Sequence, residues 1–209
     1  MSGYARMERA ALADLLIKVG DAEPTLCAGW TTRDLAAHLV VRDRRPDVVA
    51  GVLIPPLAGY AERVRRAYAT RPYEALVGEV RRPPWWSPVA NPVVHELANA
   101  LEFFIHHEDV RRGRPGWEPR VLPPAQQRAV WGAARITARL GLRKLHLPVL
   151  LRAPGQGELQ VGNGTPQATL TGEPGELALF LSGRQGAARV QVDAAPALAD
   201  RLRTAALGM

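Results

Sequence analysis

The chain has 209 residues, of which 47% are hydrophobic and 22% are charged, and this composition excludes intrinsic disorder of the whole chain. No window approaches the roughly 18 uninterrupted apolar residues of a membrane span, and the start MSGYARMERAALADLL lacks a signal-peptide core, so we expect a cytoplasmic protein without membrane contact. A single cysteine, Cys27, excludes an internal disulfide and any multi-cysteine metal cage. A metal site would therefore use histidines and carboxylates.

The net charge of +7 comes from 27 basic and 20 acidic residues, and only Lys18 and Lys144 among the basic residues are lysines. The excess is spread along the chain, because residues 143–209 carry seven basic and five acidic residues and the remainder carries 20 and 15. A nucleic-acid interface more often shows clustered basic residues with aromatic residues between them. The sequence therefore predicts no nucleic-acid partner, although nucleic-acid binding stays as a third hypothesis.

Up to about residue 142, apolar residues recur at helical spacing. Thr31 with Asp34 forms a capping-box pattern at the start of the second predicted helix. The predicted helices are one that ends at Gly20, one from Thr31 or Thr32 to before Pro46, one over Leu57–Ala69, a short one over Tyr73–Val80, a long one from Asn91 to about Arg112, and one over Ala125–Leu140. This pattern predicts an all-helical bundle with four main helices.

After residue 143 the hydrophobic period drops to two. The predicted strands contain Leu159 and Val161, Ala168 and Leu170, and Val190 and Val192, and helices are predicted in EPGELALFLSGR and AAPALADRLRTAAL. The fold class is therefore predicted as α+β with two domains, a four-helix bundle over residues 1–142 and a small α/β domain over residues 143–209.

Glu102 and His106 are four residues apart on the long predicted helix, so both side chains lie on one face about one turn apart. His38 lies within the apolar run LAAHLVV of the second helix, which predicts an inward-facing imidazole. Three N and O ligands of this kind can hold a divalent metal in a helical bundle. Spacing alone leaves the alternative open, in which His38 is a hydrogen-bonded core residue and Glu102 and His106 form a solvated pair.

Three segments carry a family resemblance. TLCAGWTTRDLAAHLVVRDRRPD, residues 25–47, and NALEFFIHHEDVRR, residues 99–112, resemble the two metal-binding motifs of the mycothiol-dependent maleylpyruvate isomerase family, a DinB-like group. GTPQATLTGEPGELALFLSGR is similar to the small sterol-carrier-like domain of many members. The arginine-rich RDRRPD and HHEDVRR differ from the isomerase pattern and indicate a separate metal-binding branch.

The resemblance implies a divalent metal held by His38, Glu102 and His106, usually zinc, with nickel, iron or manganese as alternatives. It also implies mycothiol as the thiol cosubstrate of a transferase or isomerase that acts on a small electrophilic, anionic molecule. Metal coordination would turn that thiol into a thiolate at neutral pH. The alternative is a metal-binding or regulatory protein of the same fold without turnover.

Three arginines are candidates for catalytic roles. Arg42 and Arg45 follow His38 by four and seven residues, on its face of the helix, where a guanidinium could bind a substrate or thiol carboxylate. A solvated or salt-bridged helix end is the equal alternative. Arg184 follows the LALFLSGR helix, and in two-domain relatives the small domain closes beside the metal, which implies an anion-binding role.

The remaining expectations concern packing and assembly. Cys27 and Trp30 are predicted to pack as apolar groups at the entry to the second helix. Asp109 lies one turn beyond His106 and could support that ligand from behind, or be exposed. We expect a monomer or a homodimer whose partners are the small-molecule substrate and the thiol.

Overall fold

The structure, a computed structural model, describes residues 3–48, 58–87 and 92–208, without the side chains of residues 92–98, and this part of the chain forms α-helices and four β-strands. The helices are α1 Tyr4–Val19, α2 Thr32–Arg44, α3 Ala58–Ala69, α4 Tyr73–Arg81, α5 Pro92–Arg111, α6 Pro124–Arg143, α7 Pro174–Leu181 and α8 Pro196–Thr204. The strands are β1 Val149–Ala153, β2 Gly157–Val161, β3 Ala168–Thr171 and β4 Gln191–Ala194.

Contacts between residues divide the chain into two compact units, Met1–Trp117 and Glu118–Met209. The first unit contains α1 to α5 and the second contains α6 to α8 with all four strands. The change of hydrophobic period predicts a boundary at residue 143 instead. The two boundaries differ in where they place α6, which packs on α7 and contacts β2 within the second unit. The domains 1–142 and 143–209 stay a prediction.

The first unit is built from amphipathic helices that bury their apolar stripes against one another. Helix α1 packs on α4 and α5, and α2 packs on α3 and α4. The core between them includes Leu12 and Leu16 of α1, Leu35 and Leu39 of α2, and Phe103 of α5, all fully or almost fully buried. Burial of side chains of this size contributes roughly 1.5–3 kcal/mol each. This packing fixes the faces that α2 and α5 present to the candidate site.

The start of α2 is set by a local hydrogen bond. The backbone N–H of Thr31 donates to Oδ2 of Asp34 at 3.0 Å, as the predicted capping box requires. The helix ends at Arg44, two residues before Pro46, because the residue that precedes a proline is disfavoured in the α conformation. The bounds of α2 therefore follow from its sequence.

The second unit contains a mixed sheet with strand order β2-β1-β3-β4. Strand β1 pairs antiparallel with β2 and parallel with β3, and β3 pairs antiparallel with β4. Side chains alternate along β1, so that Val149, Leu151 and Ala153 are buried on one face. Helix α7 contacts β1 and is buried along its whole length.

The mixed helical and sheet fold that the sequence predicts is confirmed at this level, and most predicted elements lie where they were expected. Strand β1 was not predicted. The predicted cap Asn91 and the predicted helix start Leu57 lie outside the described residues. None of the helices within the described ranges combines the length and the apolar composition that a membrane span requires.

Candidate metal centre

Helices α2 and α5 bring the three predicted metal ligands together. His38 comes from the middle of α2, and Glu102 and His106 come from successive turns of α5. The side chain of His106 is 9% exposed, whereas those of His38 and Glu102 are 27% and 29% exposed. The cluster is therefore anchored in the interior of the first unit and accessible from one side.

The distances within this cluster match those of a metal site. Nε2 of His38 lies 3.4 Å from Oε1 of Glu102, and Nε2 of His106 lies 3.3 Å from the same oxygen. The two imidazole rings meet edge to face, with centroids 5.2 Å apart. A tetrahedral zinc ion with bonds of 2.0–2.1 Å separates its ligand atoms by about 3.4 Å. The two nitrogen-to-oxygen distances thus match the ligand spacing of such an ion, and all three donor atoms lie within 4.8 Å of one another.

Asp109 supports His106 from behind. Nδ1 of His106 and Oδ2 of Asp109 are 2.9 Å apart, and Asp109 is fully buried. A carboxylate that accepts the Nδ1 proton fixes the ring orientation and leaves Nε2 as the ligand atom, which here lies beside Glu102. Of the two roles expected for Asp109, the geometry favours support of the ligand over exposure to solvent.

The three groups have shifted pKa values. Burial lowers the pKa of His38 below its usual range, although the hydrogen bond with Glu102 opposes this shift. Burial by itself raises the pKa of Glu102, but hydrogen bonds with His106 and His38 and the charge of Arg42 bring it well below its usual range. Burial by itself lowers the pKa of His106, but hydrogen bonds with Asp109, Cys27 and Glu102 raise it well above its usual range. In the metal-free protein these directions favour the charged imidazolium form of His106, between two carboxylates.

A second group of donor atoms shares His106. Cys27, His106 and Asp109 offer a sulfur, a nitrogen and an oxygen atom that lie within 4.8 Å of one another, as the atoms of the first group do. Cys27 is half-buried, and its Sγ donates to Oδ2 of Asp109 at 3.2 Å. The prediction that Cys27 packs as an apolar group is therefore wrong. Its partner lies 82 residues further along the chain, and no sequence spacing points to it.

Arg42 is the predicted arginine that the structure brings to this cluster. Its Nε lies 3.3 Å from Oε1 of Glu102, and its Nη2 donates to Oδ1 of Asn99 at 2.7 Å. The guanidinium is mostly buried, with 16% of the side chain exposed. It therefore places a fixed positive charge beside the ligand carboxylate.

Arg45 and Arg184 form hydrogen bonds with residues outside the cluster. Arg45 forms a two-pronged pair with Asp47, at 2.9 and 2.7 Å, and also donates to the Tyr60 hydroxyl at 2.7 Å. Arg184 belongs to the second unit, where its Nη1 donates to the carbonyl of Ser182 at 2.5 Å. Their roles at the site stay predictions.

Comparison with known proteins gives a structure with a similar fold. No family model matches the sequence, and no curated protein matches it either. A crystal structure of the mycothiol-dependent maleylpyruvate isomerase is similar to this chain, with a TM-score of 0.61 and 16% sequence identity, over 91% of this chain and 90% of the isomerase chain. The family resemblance predicted from the sequence is confirmed at the level of structure: the chain has the fold of the mycothiol-dependent maleylpyruvate isomerase.

Proposed function

We propose that this protein is a divalent-metal-binding enzyme, a transferase or isomerase that uses a low-molecular-weight thiol and acts on a small electrophilic, anionic substrate. The observation that carries the proposal is the convergence of His38, Glu102 and His106, in which Nε2 of each histidine lies within 3.4 Å of the same carboxylate oxygen. Three protein ligands are the number that catalytic zinc sites use. The partial exposure of His38 and Glu102 gives small molecules a route to the centre.

The fold supports mycothiol as the thiol, because the structurally similar isomerase is mycothiol-dependent. The donor set suits zinc, and also nickel, iron or manganese, since imidazole and carboxylate ligands bind all of these ions. When bound, such a metal lowers the pKa of a coordinated thiol enough to hold it as a thiolate at neutral pH. The residues of the chain would fix the position of that sulfur and of the substrate beside it.

Arg42 is the group best placed to bind the anionic substrate. Its guanidinium is held beside Glu102 by Asn99, so its orientation is set before any ligand arrives. A carboxylate that binds a preoriented guanidinium loses less entropy than one that binds a free side chain. We assign Arg45 and Arg184 to the same task, in line with their positions after the α2 and α7 motifs.

We also propose the domains, the cellular location and the partners of this protein. The fold comprises a DinB-like four-helix bundle over residues 1–142 and a sterol-carrier-like domain over residues 143–209, and the sheet of the second unit supports the latter. The protein acts in the cytoplasm as a monomer or homodimer. Its partners are the substrate and the thiol, and not nucleic acid or membranes.

One observation favours a different function. Cys27 and Asp109 form with His106 a second donor set, separate from His38 and Glu102, because Asp109 contacts Nδ1 of His106 whereas Glu102 lies beside Nε2. A centre closed by a fourth protein ligand is structural, whereas a catalytic centre keeps one position for solvent or substrate. The second candidate is therefore a metal-binding protein without turnover, in a structural or regulatory role.

Cobalt substitution separates the two candidates. We expect the purified protein, freed of metal by a chelator, to bind one Co²⁺ per chain with the absorption of a tetrahedral site. Titration with N-acetylcysteine should then add a thiolate-to-cobalt charge-transfer band. A spectrum that the thiol leaves unchanged would favour the structural alternative.

Two histidine variants control for the ligand set. His106→Ala should lose stoichiometric metal. His107→Ala should retain it, because Nδ1 of His107 pairs with Glu8 of α1 at 2.8 Å and takes no part in the cluster. Full cobalt occupancy in His106→Ala would exclude the proposed centre.

A further inference from the structure

The segment Pro24–Thr31, which we call the 24–31 turn, reaches both histidine ligands. We propose that this turn positions the two imidazoles, with Trp30 setting the ring of His38 and Cys27 acting through Asp109 on the ring of His106. The inference rests on the metal centre proposed above and assigns the turn as its outer support.

The turn is fixed against the end of α5. Its two ends form a β-bridge between Pro24 and Thr31, and the backbone N–H of Leu26 donates to the carbonyl of Asp109 at 3.0 Å. The chain after α5 passes so close that a Cβ on Gly113 would lie 2.0 Å from the carbonyl oxygen of Pro24. The turn therefore cannot shift without disturbing the segment that carries Asp109.

Internal hydrogen bonds couple the positions of Cys27 and Trp30. The N–H of Trp30 donates to the carbonyl of Cys27 at 2.9 Å and closes a β-turn, in which Gly29 has a φ of 76°. The hydroxyl of Thr25 accepts from the N–H of Cys27 at 3.2 Å and donates to the carbonyl of Trp30 at 2.9 Å. The side chains of Cys27 and Trp30 thus project from one rigid backbone segment.

Cys27 acts on His106 through a shared oxygen atom. Oδ2 of Asp109 is 3.2 Å from Sγ of Cys27 and 2.9 Å from Nδ1 of His106. A buried carboxylate oxygen that contacts two side chains has its direction set by both of them. The thiol therefore holds the carboxylate in the orientation that aims Nε2 of His106 at Glu102.

Trp30 acts on His38 by direct ring contact. The ring centroids are 5.3 Å apart, and the guanidinium of Arg65 lies 4.7 Å from the indole centroid. Arg65 is itself held by Asp34 at 2.5 Å and by Glu62 at 2.7 Å. The indole is therefore fixed by a cation that two carboxylates anchor, and it limits the rotation of the His38 imidazole.

Two pairs of variants test the inference on the full chain. Cys27→Ala removes the thiol donor, and Cys27→Ser retains a donor at the same place. Trp30→Leu removes the ring contact, and Trp30→Phe retains it. For each variant we would measure zinc affinity by chelator competition, the visible spectrum of the Co²⁺ form, and the unfolding midpoint of the metal-free protein.

We expect Cys27→Ala and Trp30→Leu to weaken zinc binding at least about tenfold, the usual effect of losing an outer partner of a metal ligand. Their Co²⁺ spectra should change, whereas Cys27→Ser and Trp30→Phe should restore both affinity and spectrum. A loss of stability alone would lower the unfolding midpoint without altering the spectrum of the bound metal.

The outcomes separate this inference from the proposed function. A wild-type protein that binds no stoichiometric zinc or cobalt would overturn the metal centre itself. A wild-type protein that binds metal, together with Cys27→Ala and Trp30→Leu variants of unchanged affinity and spectrum, would overturn only the role of the 24–31 turn.

Discussion

At the scale of single residues, His106 is the group on which proton and metal compete. Hydrogen bonds with Asp109 and Glu102 raise its pKa well above the usual range, although burial acts in the opposite direction. A raised pKa means that the ring carries its proton at neutral pH in the metal-free protein. His38 has a lowered pKa, because burial disfavours its charged form, so it is neutral at the same pH. Glu102 is ionised because its pKa is lowered.

These directions predict how metal binding depends on pH. A metal takes the neutral imidazole, so binding at neutral pH should release about one proton, from His106. Affinity should fall as the pH is lowered, because the proton on His106 becomes harder to displace and His38 becomes charged too. Calorimetric titration with zinc in two buffers of different ionisation enthalpy measures the number of protons released.

A control for this proton count uses a higher pH. Above the pKa of His106 the ring is already neutral in the metal-free protein, and proton release should disappear. Zinc binding at neutral pH without release of a proton would contradict the assignment of the charged state to His106.

The ligand residues, and Asp109 as a support of His106, could be predicted from the sequence, whereas the contacts of Cys27 and Trp30 with the site could not. The four-residue spacing of Glu102 and His106 and the apolar residues around His38 are local patterns, and local patterns can be recognised in a single sequence. The contact of Cys27 with Asp109 joins positions 82 residues apart, and it depends on how a turn packs against a helix end. No pattern in the residues around Cys27 predicts its contact with Asp109.

At the scale of elements, Arg9 joins the helices of the first unit through polar contacts in the core. This α1 residue forms a two-pronged ion pair with Asp43 of α2, and its Nη1 also donates to the carbonyl of Val80 in α4 at 3.0 Å. Its guanidinium lies 4.2 Å from the ring centroid of Phe103 in α5. Both partners of the ion pair are almost fully buried, with 5% and 2% of the side chains exposed.

We expect Arg9→Met to destabilise the protein by about 3–5 kcal/mol, because it leaves the carboxylate of Asp43 buried without its main counter-charge. Denaturation by urea measures the change in the free energy of unfolding. Arg66→Met is the matched control: Arg66 pairs with Glu62 on the surface and is 74% exposed, and such pairs contribute at most about 1 kcal/mol. Equal losses in the two variants would show that the buried pair does not hold these helices together.

The elements themselves were predictable to different degrees. The start of α2 can be predicted because its capping box, Thr31 with Asp34, lies within four consecutive residues. The central strand β1, VLLRA, is not predicted because its apolar run ends after three residues at Arg152, and periodicity cannot separate a strand from a helix in so short a run. Helix α6 was predicted as a helix, but the amphipathic pattern does not say which unit will cover its apolar face.

At the scale of the whole molecule, the candidate ligands and the second unit are separate in the chain. His38, Glu102 and His106, like Cys27 and Asp109, all belong to the unit Met1–Trp117. The sheet and its helices belong to Glu118–Met209. A ligand that binds only the folded state stabilises the part of the protein that must unfold before the ligand can dissociate. Metal binding should therefore affect the two units differently.

Hydrogen exchange measures this difference peptide by peptide. At a free zinc concentration of 100 times the Kd, the bound unit gains about 2.7 kcal/mol, which slows exchange through its opening by about 100-fold. We expect this slowing in peptides from α2 and α5 and little change in peptides from β1 to β4. In His106→Ala the zinc effect should vanish throughout the chain. Equal slowing in the sheet and in α2 would show that the two units open together, and unchanged exchange in α2 and α5 would contradict the position of the metal centre.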